Sequence, residues 1–435
     1  MHRNGAKRLA AQVSIGSTKA FSASPLSCSS HTYHDITDGR TLGRVLESCK
    51  ASSNFKMATE THARIIRLGY GTYPYLVASL ISTYLRCDRA SISYQVIDQV
   101  LCWASDLITV NIVIESLMRI GECELAKKVF DKMPEQDTVT WNSIIGGHVR
   151  NLRFEEALRF FRKMLRSTVE PDKFTFASAI KACARLGTLN HALWVHGLMI
   201  EKTIEMNYIL GAALIDMYSK CGRIQTAKEI FESIPHNDVS IWNAMINGLA
   251  IHGLAEDAIG VFSKMEMKNV LPDSITFLGI LTACSHCGLV EEGRRYFKLM
   301  CVGYSIQPEL EHYGAMVDLL GRAGKLEMAY AMIKEMPFEP DVVIWRALLS
   351  GCRTHKNPQL GEVAITNISR LSSGDYVLLS NIYSSLNNWD GAEHVRETMK
   401  KKKVRKNRGK SWFELDGVIY KFKAGDRSHV ETEAI

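Results

Sequence analysis

VTWNSIIGGHVRNLRFEEALRFFRKM (139–164) returns as VSIWNAMINGLAIHGLAEDAIGVFSKM (239–265). Trp141 matches Trp242 at 101 residues, and Trp345 follows 103 residues further on. Between these copies KACARLG (181–187) matches TACSHCG (282–288), and LIDMYSKCGRIQTAKEIFESIP (214–235) matches MVDLLGRAGKLEMAYAMIKEMP (316–337). Three unlike units therefore alternate. Their boundaries fall at Asp137, Asp172, Asp238, Asp273 and Asp341, three of them preceded by Pro171, Pro272 and Pro340, and the unit lengths run 35, 35, 31, 35, 36 and 32.

Within 138–172 the apolar residues Trp141, Ile144, Ile145 and Val149 recur at helical spacing, as do Ala157, Phe161, Met164 and Leu165 after them. Two short helices per unit are predicted. Neither is long enough to be stable alone, and one pair cannot bury its apolar face, so successive pairs must stack. The fold class is all-α, an alpha solenoid of helix-turn-helix repeats. Gly222, Gly288 and Gly324 stand between the helices of a pair, where a left-handed turn residue is useful. A looser copy lies upstream, in LGRVLESCK (42–50) and ASLISTYLRC (78–87). Tryptophans 141, 242 and 345 share one phase of the repeat and read as core.

Composition narrows the chemistry. The net charge of +7 is unevenly spread: residues 1–34 hold Arg3, Lys7, Arg8 and Lys19 with seven serines and no acid, and KKKKVRKNRGK (400–410) holds eight cations. The remaining body is thus mildly acidic, which argues against a broad sequence-blind grip on a polyanion. Residues 1–34 have the composition of an organelle transit peptide, mitochondrial on the early arginines, with chloroplast as the alternative. Eleven cysteines scattered through apolar stretches fit a reducing compartment. No run of about 18 apolar residues occurs, so no membrane helix is expected.

WNSIIGG, WNAMING, ALIDMYSKCG, MVDLLGRAGKLEMA and EPDVVIWRALL resemble the plant pentatricopeptide repeat family, in its subclass whose ordinary, long and short motifs alternate as triplets; the resemblance covers roughly 39–430. It implies a right-handed superhelix in which the fifth and last residues of a unit together read one base of single-stranded RNA. Carried onto this sequence, the reading pairs are Asn111 with Asp137, Asn142 with Asp172, Ala212 with Asp238, Asn243 with Asp273, and Gly314 with Asp341. An Asn amide offers donors and an acceptor to a base edge, and a neighbouring carboxylate can fix its orientation. Asn with Asp resembles the family's uracil-preferring pair. The second residue of each unit would pack on base faces: Ile108, Val139, Phe174, Ile209 and Ile275, with Ser240 as a weak slot. The long units offer Ala177 with Asn207 and Leu278 with Glu309, which fit spacers. Taken singly, each Asn or Asp reads equally as a helix cap.

The resemblance divides the chain into a transit peptide (1–34), degenerate repeats (35–106), seven repeats (107–341), extension motifs (342–409) and the start of a further segment (410–435). In longer relatives that segment leads to a cytidine-deaminase-like domain. Here the chain stops at Ile435, and a truncated descendant or partial gene model of a longer deaminase-bearing protein is a further alternative. His429-Val430-Glu431 matches a deaminase pattern only by letter, and Cys284-Ser285-His286-Cys287 has the spacing of half a zinc site with no second Cys pair. No metal, no cofactor and no catalytic activity of the chain's own are predicted. The implied role is a recognition factor for cytidine-to-uridine editing of organellar RNA that recruits a deaminase-bearing protein in trans. Splicing, stability or translation roles, and a peptide-binding scaffold, are the alternatives. The lysine run would contact flanking phosphates or be a solvated helix end.

Overall fold

The computed structural model describes residues 39–87, 92–93, 95–96, 107–235, 238–406, 409–415 and 418–423. Residues 1–34, expected to be a transit peptide, most of 88–106 and His429-Val430-Glu431 lie outside them. The chain divides into two compact units, Met1–Ala182 and Cys183–Ile435.

The first unit opens with α1 (Gly39–Ser52), α2 (Phe55–Arg67) and α3 (Pro74–Arg86), then the pairs α4 (Leu107–Ile120) with α5 (Cys123–Lys132) and α6 (Thr138–Arg150) with α7 (Phe154–Met164). Helix α8 (Lys173–Leu186) carries the boundary between the units. The second unit continues with α9 (Leu189–Glu201), then α10 (Tyr208–Lys220) with α11 (Ile224–Ser233), α12 (Val239–Ile251) with α13 (Ala255–Met267), and α14 (Ser274–Cys287) with α15 (Val290–Lys298). It ends with α16 (Leu310–Arg322) and α17 (Leu326–Glu335), α18 (Val342–Thr354) and α19 (Pro358–Asn367), and α20 (Ser373–Ser385) and α21 (Trp389–Lys401). Among the described residues no helix is long and apolar enough to cross a membrane.

Each unit is thus a run of stacked helix pairs, as the repeat predicts. In the second unit, each of α10, α12, α14, α16 and α18 packs on the first helix of the next pair, and α11, α13, α15, α17, α19 and α21 each pack on their own partner. Trp141, Trp242 and Trp345 are all buried, with Trp141 edge-on to Phe130 of the preceding second helix at 4.7 Å and Trp242 edge-on to Phe231 at 5.2 Å. The same phase of the repeat thus seals each pair against its predecessor. Gly222, Gly288 and Gly324 have φ of 76°, 70° and 76°, the left-handed turn that an L side chain resists.

Close approach of successive first helices is set by a glycine six residues after each tryptophan. A Cβ on Gly351 would meet the Gly321 backbone at 2.8–3.0 Å, and one on Gly248 would meet the Ser219 Oγ at 2.3 Å. The upstream copy also folds as a repeat. His62 and Tyr84 are joined through Nδ1 and the phenol at 2.9 Å, and His196 and Tyr218, with the same 22-residue separation, are joined at 2.8 Å. Beyond α21 the described residues hold one element that the repeat did not foretell. This is an antiparallel hairpin, β1 (Lys410–Leu415) with β2 (Val418–Lys423), in register Lys410 with Lys423 through Leu415 with Val418.

Candidate nucleic-acid interface

The start of each first helix carries the residues singled out in the sequence. The boundary aspartates are N-caps: Asp137 accepts from the Thr140 amide at 2.8 Å, Asp172 from Thr175 at 2.9 Å, Asp273 from Thr276 at 2.8 Å and Asp341 from Ile344 at 2.9 Å. Asp238 accepts from Ser240 at 2.8 Å. Capping does not exhaust them. Asn111 donates its Nδ2 to Asp137 at 3.1 Å, Asn142 to Asp172 at 3.0 Å, and Asn243 to both oxygens of Asp273 at 3.0 and 3.2 Å. One carboxylate therefore ends the preceding unit, starts the next helix and orients the amide across the junction.

A third side chain joins each of these pairs. The hydroxyls of Thr140, Thr175 and Thr276 lie 2.7, 2.6 and 2.6 Å from the Oδ1 of Asn111, Asn142 and Asn243. Each threonine Oγ1 accepts in turn from the backbone N–H of its aspartate, at 3.2, 3.1 and 3.1 Å. Burial pushes the Asp137 carboxyl up, but donors from Thr140 and Asn111 outweigh it and hold the group below the usual carboxylate range. Asp172 is depressed in the same way: burial raises it, and the Thr175 amide, Asn142 and the Thr175 hydroxyl more than compensate. Both are anions at neutral pH, so the Asn amino group, not its oxygen, faces them.

Ala212 and Gly314 bring no polar side chain to Asp238 and Asp341, so no side-chain pair comparable to the three Asn–Asp pairs forms there. In the long units Asn207 caps α10 through the Leu210 amide at 3.0 Å, and Glu309 caps α16 in a box with His312. The second-position residues are exposed: Ile108, Val139, Phe174, Ile209 and Ile275 are 70%, 57%, 53%, 37% and 53% accessible. Ser240 differs, since its hydroxyl donates to its own Asp238. Five apolar side chains thus stand in solvent beside polar junctions. A folded chain leaves such residues out of its core only where the helix face has no neighbour to cover them.

The Cys284–Cys287 stretch is packing. Cys284 is fully buried, His286 pairs through Nδ1 with the Ala250 carbonyl at 2.8 Å, and the Cys287 thiol donates to the Gly253 carbonyl at 3.0 Å. Among the described residues no group of three or more His, Cys, Asp or Glu side chains is placed to hold a metal ion. Of the basic run, Lys401 pairs with Glu397 at 3.8 Å, while Lys400 and Lys406 line a groove with Arg396, Val377 and Asn381. Asn407 and Arg408 lie outside the described residues.

Sequence reading missed one junction. Arg346, fifth in its unit, donates through Nε and Nη2 to the two oxygens of Asp375 at 2.8 Å each, and Asp375 is buried. The signal was present as an arginine in the phase of Asn142 and Asn243, with an acid in the phase of Thr175 and Thr276.

The repeat model described as the PPR repeat family matches residues 136–185 and 237–286, and the PPR repeat model matches 108–137, 174–204, 213–239, 275–302 and 311–339. Pentatricopeptide repeat-containing protein At5g50990 of Arabidopsis thaliana is 56% identical over 97% of this chain and 79% of its own length. The chain belongs to the pentatricopeptide repeat family. An E motif follows the repeats at 355–414. Pentatricopeptide repeat-containing protein At1g59720, chloroplastic/mitochondrial, of the same plant is 37% identical, and the chain covers 60% of its length. The crystal structure of the pentatricopeptide repeat protein PPR10 in complex with an 18-nt psaJ RNA element has the same fold, with a TM-score of 0.55 at 16% identity over 85% of this chain and 65% of that one.

Proposed function

We propose that this protein binds single-stranded organellar RNA sequence-selectively, one base per ordinary or short unit, and serves as a recognition factor for cytidine-to-uridine editing. The observation that carries the reading is the threefold recurrence of an oriented Asn amide: Asn111, Asn142 and Asn243 are each held by a carboxylate, and Ile108 and Val139 stand exposed in the units of the first two. Such an amide keeps one N–H and one oxygen lone pair for a base edge, and the apolar neighbour supplies a surface for the base face. Ala212 with Asp238 and Gly314 with Asp341 are the weaker slots. The fold shared with PPR10 supports RNA as the ligand, and the mildly acidic body leaves affinity to these contacts and to the cations at 400–410, which meet phosphates.

The editing role rests on the E motif downstream of the repeats; the chemistry would come from a deaminase-bearing protein in trans, and the chain itself is no enzyme. Residues 1–34 would direct it to the mitochondrion, or to the chloroplast, and relatives named for these compartments support an organelle. In binding selections with a randomised single-stranded RNA pool, Asn142→Ala and Asn243→Ala should each flatten base preference at one position, by about 1–3 kcal/mol. An equal loss at every position would overturn base reading. Plants lacking the protein should leave at least one organellar cytidine unedited, and complete editing in both organelles would overturn the editing role.

A further inference from the structure

We propose that Thr140, Thr175 and Thr276 are positioning residues for base reading, so that the specificity of each slot is set partly by a hydroxyl in the following unit. The inference rests on the base-reading role proposed above. Its first support is geometric. An amide bears two N–H groups and two oxygen lone pairs. At these junctions the aspartate takes one N–H, and the threonine hydroxyl lies 2.6–2.7 Å from the amide oxygen and 2.7–2.9 Å from the aspartate Oδ1, so its one proton is shared between the two acceptors and ties the amide to the carboxylate. Rotating the amide by half a turn would break both bonds and set its oxygen against a carboxylate. The free N–H and the free lone pair are therefore fixed in place before any base arrives. All three threonines are completely buried.

The second support is where the threonine is missing. Its helix position is the third residue, and capping does not require a hydroxyl there, since Asp341 caps through the amide of Ile344 and Asn207 through that of Leu210. The third residue is Thr in the three units that follow an Asn, and Ile241 and Ile344 in the units that follow Ala212 and Gly314; Thr109, after Ala78, is a threonine with no Asn before it. After Ala177 it is Leu210. After Leu278 it is His312, whose bonds run to Glu309 and to the Ser274 carbonyl. Every Asn amide thus has its hydroxyl, and capping does not require one.

Replacing threonine by valine puts a methyl where the hydroxyl was. A carbon cannot sit much closer than about 3.3 Å to that oxygen, so the amide must swing away from the carboxylate's line. The test uses the full chain, the randomised single-stranded RNA pool and thermal unfolding in parallel. Thr175→Val should reduce base preference roughly tenfold, the net worth of one hydrogen bond, at the position that Asn142→Ala flattens and nowhere else. Thr175→Ser should restore it. A gain-of-function arm guards against a fold defect: Ala212→Asn with Ile241→Thr should create a preference at a new position that exceeds that of Ala212→Asn alone.

A Thr175→Val profile equal to wild type, with only a lower melting temperature, would overturn the inference while leaving base reading intact. So would a double variant no more selective than Ala212→Asn. If Asn142→Ala itself leaves every position unchanged, base reading falls and the inference falls with it.

Discussion

Removing one side of the Arg346–Asp375 pair tests how the repeats are joined to the E motif. Four donors converge on the Asp375 carboxylate: Arg346 Nε and Nη2 at 2.8 Å each, the Ser372 amide at 2.7 Å and the Ser372 hydroxyl at 2.8 Å. The Asp375 side chain is 3% accessible and that of Arg346 is 40%. This asymmetry decides the magnitudes. Arg346→Ala strands a buried anion with only Ser372 to serve it, a loss of about 3–4 kcal/mol by the cost of breaking a buried pair. Asp375→Asn leaves a guanidinium that can turn to water and an amide oxygen that can still accept, so about 1–2 kcal/mol is expected.

A stack of helix pairs need not unfold in one step, so a single melting temperature would blur the effect. Hydrogen exchange of the α18 and α20 amides reads it locally. Equal losses in the two variants, or a larger loss for Asp375→Asn, would refute the reasoning. The pH dependence is a second reading. Burial raises the Asp375 carboxyl, but the Arg346 and Ser372 donors outweigh it and hold the group below the usual carboxylate range. A depressed pKa in the folded chain gives stabilisation that is complete above the unfolded value of about 3.9 and is lost as the pH falls through the folded one. Protection of α20 in the wild type should therefore decline below about pH 4, and in Asp375→Asn this component should vanish.

Gly351→Ala should destabilise the α16–α18 contact by about 1–2 kcal/mol, because the new methyl meets Gly321 backbone that cannot give way. Gly260→Ala at an exposed position of α13, where a Cβ meets nothing within 4 Å, should stabilise by about 0.5–1 kcal/mol, and urea titrations of the two variants compare them directly. His148 is buried against Phe160 with neither ring nitrogen partnered, and burial lowers its pKa to about 4. The unfolded chain then binds the extra proton between about pH 6.5 and 4, so stability falls across that window on acidification. His148→Phe should flatten the fall in the α6 region, measured by hydrogen exchange at both ends of the window.

Much of this was legible because a solenoid writes its fold locally. The tryptophan phase, the apolar spacing and the boundary aspartates each concern residues within one unit or its immediate neighbour, and all reappear as buried rings and N-caps. What escaped was whatever depended on a partner about 30 residues away with no letter to flag it. Thr140 reads as an ordinary β-branched residue in a first turn, and only the folded junction shows its hydroxyl at Asn111. Arg346 and Asp375 differ, since the phase of the repeat marks both, but a charged pair in place of Asn and Thr departs from the repeated letters. The hairpin of 410–423 was different: Asp416-Gly417 between two alternating runs is a turn signal legible in the sequence, outside the helical period that governs the residues before it.

The choice between cap and reader at each Asp was posed in the sequence as an alternative, and the geometry dissolves it. A carboxylate has two oxygens and several lone pairs, so Asp137 can accept from Thr140 in its own helix and from Asn111 in the previous one without conflict. The dual use has a mechanical consequence. The amide that would face a base is anchored to the start of the next helix, so a strain that separates two units must stretch the Asn–Asp bond before it changes the spacing of neighbouring slots. Where Ala212 or Gly314 replaces Asn the anchor is missing, and those junctions should yield first. Hydrogen exchange in the first turns of α12 and α18 should therefore be faster than in that of α14, whatever RNA is bound.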